Sequence, residues 1–319
     1  MAAKGIIHVR KLLGALVILG LLGAVGAWFL SAPRAVYAKL EPSLEQGGDK
    51  EKGRVIFFAG GCASCHASPG QEDRLKLGGG YSLPSPFGTF YAPNISPHRE
   101  DGVGKWTVAD MANALIAGVS PDGSHYYPAF PFTTYTKMKI EDVKNLMVFI
   151  RSLEPVAGKA KAHDMPFPFN IRRSLGMWKL LFFDRAPLVA TGAPDVQRGQ
   201  YLVESLGHCA ECHSPRNILG GIVTAQRYAG GPDAEGKGGW VPNISQHAKG
   251  LGEWTPKDIA GFLKTGFNIE GDVVGGTMGS VIKNMAELPE ADLLAMGAYL
   301  KTLPVRESPP KSAAPAKKE

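Results

Sequence analysis

The apolar residues fall into two kinds of run, one continuous and one periodic. The continuous run extends from Leu12 to Pro33, uncharged and mostly apolar, behind a basic flank that includes Lys4, Arg10 and Lys11. As a helix rising ~1.5 Å per residue, Leu12 to Leu30 spans about the ~30 Å of a hydrocarbon core. The periodic runs predict helices. Val143, Leu146, Met147 and Ile150 recur at helical spacing within a segment of about Ile140 to Leu153, and a counterpart runs from about Pro289 to Leu303. Further helices are predicted over about Lys50 to Gly60 and Asp195 to Gly207. Two more begin at Thr107 and Thr255, each a capping residue with an acid three positions on (Asp110, Asp258), and Gly118 and Gly266 are placed to end them. No alternating strand pattern of useful length is present. With 40 glycines and 24 prolines punctuating the helices, the predicted fold class is all-α with long loops.

The sequence is written twice. GRVIFFAGGCASCHASPG aligns with GQYLVESLGHCAECHSPRN, and APNISPHREDGVGKWTVADMANALIAG with VPNISQHAKGLGEWTPKDIAGFLKTG. Cys62 pairs with Cys209, Asn94 with Asn243 and Trp106 with Trp254 at a nearly constant offset, so the chain holds two copies of one unit. All four cysteines lie in these copies, as Cys62-Cys65-His66 and Cys209-Cys212-His213. Disulfides would be the ordinary reading in an exported chain, and zinc would need four ligands grouped together. C-x-x-C-H written twice is instead the attachment pattern of c-type haem. Two thiols one helical turn apart add to the two vinyl groups, and the adjacent histidine ligates the iron. Two covalent haem c groups are expected.

Charge narrows the partners. Residues 1–38 carry four basic and no acidic side chains, and residues 305–319 carry four basic against two acidic. They account for the whole net charge of +6, so the middle of the chain has no net charge with which to hold a phosphate backbone, and no nucleic acid partner is expected. The N-terminal run is read as a retained anchor with Trp28 near its far end as an interfacial residue. The competing reading is a signal cleaved after AVYA, Ala35 to Ala38. Either way the basic flank stays in the cytoplasm and the rest is exported. The expected organisation is an anchor or signal at 1–38, a first haem domain at 39–156, an apolar segment at 157–191 packed between the copies, a second haem domain at 192–304 and a disordered tail at 305–319. The apolar segment also suits a docking site for a partner or for the membrane surface.

The paired C-x-x-C-H motifs, PNIS followed by GVGKW or GLGEW, HYYPAFP and PFPFNIR resemble the cytochrome c subunits of membrane-bound alcohol, gluconate and aldehyde dehydrogenases. The resemblance covers about Gly53 to Pro304. It implies tandem class I cytochrome c-like domains, though the family typically carries three and this chain has two. It implies a methionine as second axial ligand. Met278, in GGTMGS, fits that position for the second haem, whereas the first copy has Phe130 in PAFP, which has no lone pair to offer. Met138 either takes the vacant role or is the core counterpart of Leu288. If it is core, the first iron is five-coordinate or is met by His98 or His125, each more ordinary as a surface loop residue. Asn94 and Asn243, with Trp106 and Trp254, either face the haem propionates or serve packing alone.

The function expected is electron transfer in the periplasm, from the inner membrane, by a protein or subunit with no substrate chemistry of its own. Its donor would be a dehydrogenase and its acceptor an oxidase, a quinone or a soluble cytochrome. The alternative kept open by Phe130 is a dihaem redox enzyme of peroxidase or thiosulfate-oxidising type. A third reading is an electron-transfer subunit integral to an oxidase.

Overall fold

A computed structural model describes residues 2–38, 42–233 and 239–311. The described chain is mostly helical. In helix α1 (Ala2–Leu30) none of the window Arg10–Leu30, of mean hydropathy 2.3, is buried, and its last turn meets the body, where Arg173 lies over Trp28. The body then repeats one set of elements. In the first half these are α2 (Lys50–Ala59), α3 (Cys62–His66), α4 (Val108–Ala112, continuing as a π-helical turn over Asn113–Ala117), α5 (Phe132–Tyr135) and α6 (Ile140–Arg151). After α7 (Ser174–Phe182) the second half holds α8 (Pro194–Tyr201, with a π-helical turn over Leu202–Leu206), α9 (Cys209–Cys212), α10 (Pro256–Thr265), α11 (Gly276–Met285) and α12 (Glu290–Leu300).

Local chemistry sets the helix ends. Thr107 and Thr255 form complete capping boxes with Asp110 and Asp258, and Gly118 and Gly266 close the same helices in the left-handed conformation. Packing then brings the first and last helix of each half together. A Cβ on Gly53 would lie 2.0 Å from the Asn145 carbonyl oxygen, and one on Gly199 would lie 1.8 Å from that of Ala295. Only glycine lets α2 cross α6, and α8 cross α12, backbone against backbone. One buried apolar cluster runs through both halves, from Phe57 and Met147 to Leu206 and Met296.

Helices α5, α7 and α11 and two hairpins were not read in the sequence. A small hairpin pairs β1 (Ser82–Ser85) with β2 (Gly88–Tyr91), and a shorter one pairs β3 (Gly231–Pro232) with β4 (Trp240–Val241). Such strands are too short for alternation to show. The tail expected to be disordered from residue 305 is instead tied down through residue 311. Asn243 Nδ2 donates to the Arg306 carbonyl at 2.8 Å, Glu307 lies 3.3 Å from His247, and Lys311 sits over the Trp240 ring. Residues 312–319 lie outside the described residues.

The connecting segment is held at several points. Thr89 and Asp164 exchange backbone hydrogen bonds at 2.8 and 2.9 Å, and Lys179 donates to the carbonyls of Ala117 and Gly118 at 2.8 and 2.7 Å. The two halves are joined by polar contacts as well. Asn284 donates to Ser64 Oγ at 2.7 Å and accepts from Arg74 at 2.8 Å, Arg54 pairs with Glu287, and Thr133 and Thr134 donate to Glu211 at 2.7 and 2.9 Å.

Candidate functional site

Each cysteine motif follows a turn that breaks the preceding helix. Gly61 (φ 66°) and His208 (φ 40°) stand immediately before the first cysteine of their motifs, both left-handed. Glycine suits that conformation, whereas a histidine adopts it at a cost. Helices α3 and α9 then place Cys62 with Cys65, and Cys209 with Cys212, about one turn apart, and none of the four is in a disulfide. Burial pushes the Cys62 and Cys209 thiols up to about 12.

The two histidines are held alike. His66 Nδ1 lies 2.8 Å from the Pro93 carbonyl oxygen, and His213 Nδ1 lies 2.8 Å from that of Pro242. A carbonyl oxygen can only accept, so Nδ1 carries the proton in each ring and the lone pair is left on Nε2. Burial, partly offset by that same hydrogen bond, lowers the pKa of both imidazoles and favours the neutral form a metal requires. A pair of thiols about one turn apart beside an imidazole with an oriented Nε2 is the donor set that a covalently attached haem needs, and the residues fit it in both halves. Among the described residues no three His, Cys, Asp or Glu side chains gather as a metal-ion cage would require.

Asn94 and Asn243 are committed to structure. Asn94 Nδ2 donates to the carbonyls of Val156 and Gly158 at 2.7 and 2.9 Å, while its Oδ1 accepts from Ser96 N at 2.9 Å. Asn243 Nδ2 donates to the Arg306 carbonyl and to Ser308 Oγ, and its Oδ1 accepts from Ser245 N. Each asparagine staples the loop carrying the proline carbonyl to the chain beyond the last helix of its half, so it orients the histidine at one remove. Trp106 and Trp254 are half-buried against the apolar cluster.

Of the distal candidates, Met278 is half-buried near the start of α11 and packs on the cluster. Phe130 is half-buried between the rings of Tyr126 (5.3 Å) and Tyr135 (5.9 Å). Met138 is 7% exposed and its N–H donates to Tyr135 O at 2.8 Å, just before α6. Leu288 makes the equivalent bond to Met285 O at 3.0 Å just before α12, so Met138 occupies the register of a core leucine. The surface-loop expectation for His125 is overturned. That residue is buried, because its Nε2 bonds the Ser31 carbonyl at 2.8 Å where the chain leaves α1. His98 Nδ1 accepts from Asp101 N at 3.1 Å.

One contributor escaped the sequence reading. The His208 ring meets Tyr135 edge-on at 5.9 Å, and its Nε2 lies 3.2 Å from where a Cβ on Gly61 would sit. Tyr135 in turn donates to the Gly60 carbonyl at 2.6 Å. The residues preceding the two motifs therefore touch, which brings the two sites side by side. The only trace in the sequence is that GHCAECH carries a histidine where GGCASCH has glycine.

Residues 50–154 match the cytochrome c family model. The chain is 45% identical over 303 residues to a diheme cytochrome c-type protein of Cereibacter sphaeroides, covering 93% of this chain and 99% of that one. It is 36% identical over 262 residues to the fructose dehydrogenase cytochrome subunit of Gluconobacter japonicus, covering 80% of this chain and 52% of the relative. It is 35% identical over 269 residues to the cytochrome c subunit of a quinone-dependent alcohol dehydrogenase of Gluconobacter oxydans, covering 80% and 54%. It thus spans about half the length of those two subunits and nearly all of the first relative. The chain belongs to the c-type cytochromes, in the family that these proteins form, and is an electron-transfer protein or subunit rather than a substrate-transforming enzyme.

Proposed function

We propose that this protein is a dihaem electron relay tethered to the inner membrane and facing the periplasm, built from tandem class I cytochrome c-like domains at 39–156 and 192–304. Cys62, Cys65 and His66 hold one haem c. Cys209, Cys212 and His213 would hold the other, with the thioether of Met278 as a further donor to its iron. A bound haem supplies one-electron exchange between ferric and ferrous iron, and the protein sets its potential through ligands, hydrogen bonds and burial.

The observation that carries this reading is the paired hydrogen bond from each histidine Nδ1 to a proline carbonyl, which leaves two Nε2 atoms available in equivalent surroundings. The contact of His208 with Gly61 and Tyr135 supports transfer between neighbouring sites. A dehydrogenase as donor is supported by the names of the cytochrome subunits of similar sequence. The acceptor is an oxidase, a quinone or a soluble cytochrome. The retained anchor is supported by the exposed apolar α1 and by the burial of Ser31, whose carbonyl and hydroxyl engage His125 and Arg173.

Mass measurement of the purified full chain tests the reading. Two covalent haems are expected, and Cys209→Ala should lose or weaken attachment of the second alone. A mass equal to the bare polypeptide overturns it.

A further inference from the structure

Helix α7 is seated where the chain leaves α1. A side chain on Gly176 would meet the Ser31 carbonyl oxygen at 2.2 Å, so this turn of α7 lies against the residue that follows the span. Arg173, at the start of α7, donates to the Trp28 carbonyl and to Ser31 Oγ, and its guanidinium lies 4.3 Å from the Trp28 ring centre. On the side facing the body, Lys179 caps the carbonyls of Ala117 and Gly118. Those contacts fix which way the helix is turned. Met177, Leu180 and Leu181, at i, i+3 and i+4, share the uncovered face, the two leucines being 57% and 68% exposed.

The exposed apolar surface continues beyond α7. Phe167 (77%) and Phe169 precede it, and Ile218 (94%) projects from a loop held to α7 by the Trp178 Nε1 bond to the Leu219 carbonyl, 2.8 Å. Phe87 joins the two parts. Its ring meets Phe169 edge-on at 5.1 Å and lies 3.1 Å from a Cβ built on Gly220. A contiguous apolar patch of this kind on a protein in water marks a surface that is covered in use. Its continuity with the end of α1 identifies the cover, because a face adjoining the last turn of a membrane span lies at the level of the lipid headgroups. Trp28 stacked with Arg173 is the aromatic and basic pairing found at that level.

We propose that the α7 face, with Phe167, Phe169 and Ile218, rests in the periplasmic leaflet of the bilayer that α1 crosses, so that the body is docked on the membrane rather than swinging from one helix. An interfacial helix of this type sinks its apolar side chains ~5–10 Å into the headgroup and acyl boundary. The inference rests on the reading of α1 as a retained span.

The test uses the full chain, haem attached, in vesicles of phosphatidylethanolamine and phosphatidylglycerol. Nitroxide labels are placed singly by Leu181→Cys on α7, Val17→Cys in α1 and Lys257→Cys at an exposed position of α10, with the unsubstituted chain giving the background. Relaxation by dissolved oxygen is compared with relaxation by a water-soluble nickel chelate. The expected result is an oxygen-to-nickel ratio several-fold higher at positions 17 and 181 than at 257. A high ratio at 17 with a low ratio at 181 overturns the docking while leaving the span intact, and marks the patch as a water-facing surface for a protein partner. A low ratio at 17 overturns the span, and the docking with it.

Discussion

Phe130 and Met138 show how one side chain separates two otherwise matching sites. Both motifs present a histidine with a fixed tautomer, yet where the second half has Met278, near the start of α11, the first has Phe130, just before α5. Met138 has the backbone register of Leu288 and its side chain is in the shared apolar cluster, and we propose that it is a core residue that leaves the first site without a thioether. Met138→Ala should therefore cost ~2–5 kcal/mol of stability through the cavity it leaves and not alter the spectrum of the first haem. Thermal melts and visible spectra of the same sample check both parts. Conversion of the first haem to a high-spin form by Met138→Ala would show that the methionine is a ligand after all. The reciprocal change, Phe130→Met, should add a thioether at the first site and raise its potential, because methionine sulfur favours ferrous iron. A variant whose spectrum and potential both match those of the unsubstituted protein would show that Phe130 is not at the axial position.

At the scale of elements, the two halves lean on each other through short helices rather than through a linker. Glu211, inside the second cysteine motif, is the central tie, accepting from Thr133 and Thr134 of the first half and pairing with Arg216 at 2.6 Å. Glu211 is buried and Arg216 half-buried, so Glu211→Ala, which leaves the two threonine hydroxyls and the guanidinium without their acceptor, should destabilise the protein by about 1–3 kcal/mol. Glu211→Gln, which can still accept from both threonines, should recover part of that loss, and denaturant titration of the two variants tests the order. The first, capped and last helices of each half were legible, whereas α5, α7 and α11 were not read. Cap and glycine stop agree at Thr107 to Gly118 and at Thr255 to Gly266, and the structure shows both capping boxes complete. The contacts between halves were not legible, because Thr133 and Glu211 carry no pattern that links positions so distant in sequence. His208 was hidden for the same reason, since its role depends on Gly61 lying opposite. The short hairpins lacked the length to reveal a period of two, and the burial of His125 depends on a partner, Ser31, in another part of the chain.

For the whole molecule, the decisive junction is where α1 meets the body. Beyond Ser31 the chain remains attached, for Val36 N and Tyr37 N both donate to Asn113 Oδ1 at 2.8 and 3.0 Å, and Asn113 Nδ2 donates back to Tyr37 O at 2.9 Å. Cleavage after Ala38, at a bond whose far residue, Lys39, lies outside the described residues, would remove every one of these partners. It would leave the buried amide of Asn113 and the buried Nε2 of His125 without them. Each such group left unpaired costs about 1–3 kcal/mol, so the contacts favour a mature chain that keeps its N-terminus. The purified protein should accordingly begin at or near Met1 and require detergent, as N-terminal mass analysis can establish. Asn113→Ala then offers a test of the junction itself. In the full chain it removes three hydrogen bonds and should lower the melting temperature. In a chain made to start at Lys39 those bonds are already gone, and the same substitution should have a much smaller effect. Equal losses in the two chains would mean that Asn113 supports the body alone and that α1 is joined to it more loosely than these contacts imply.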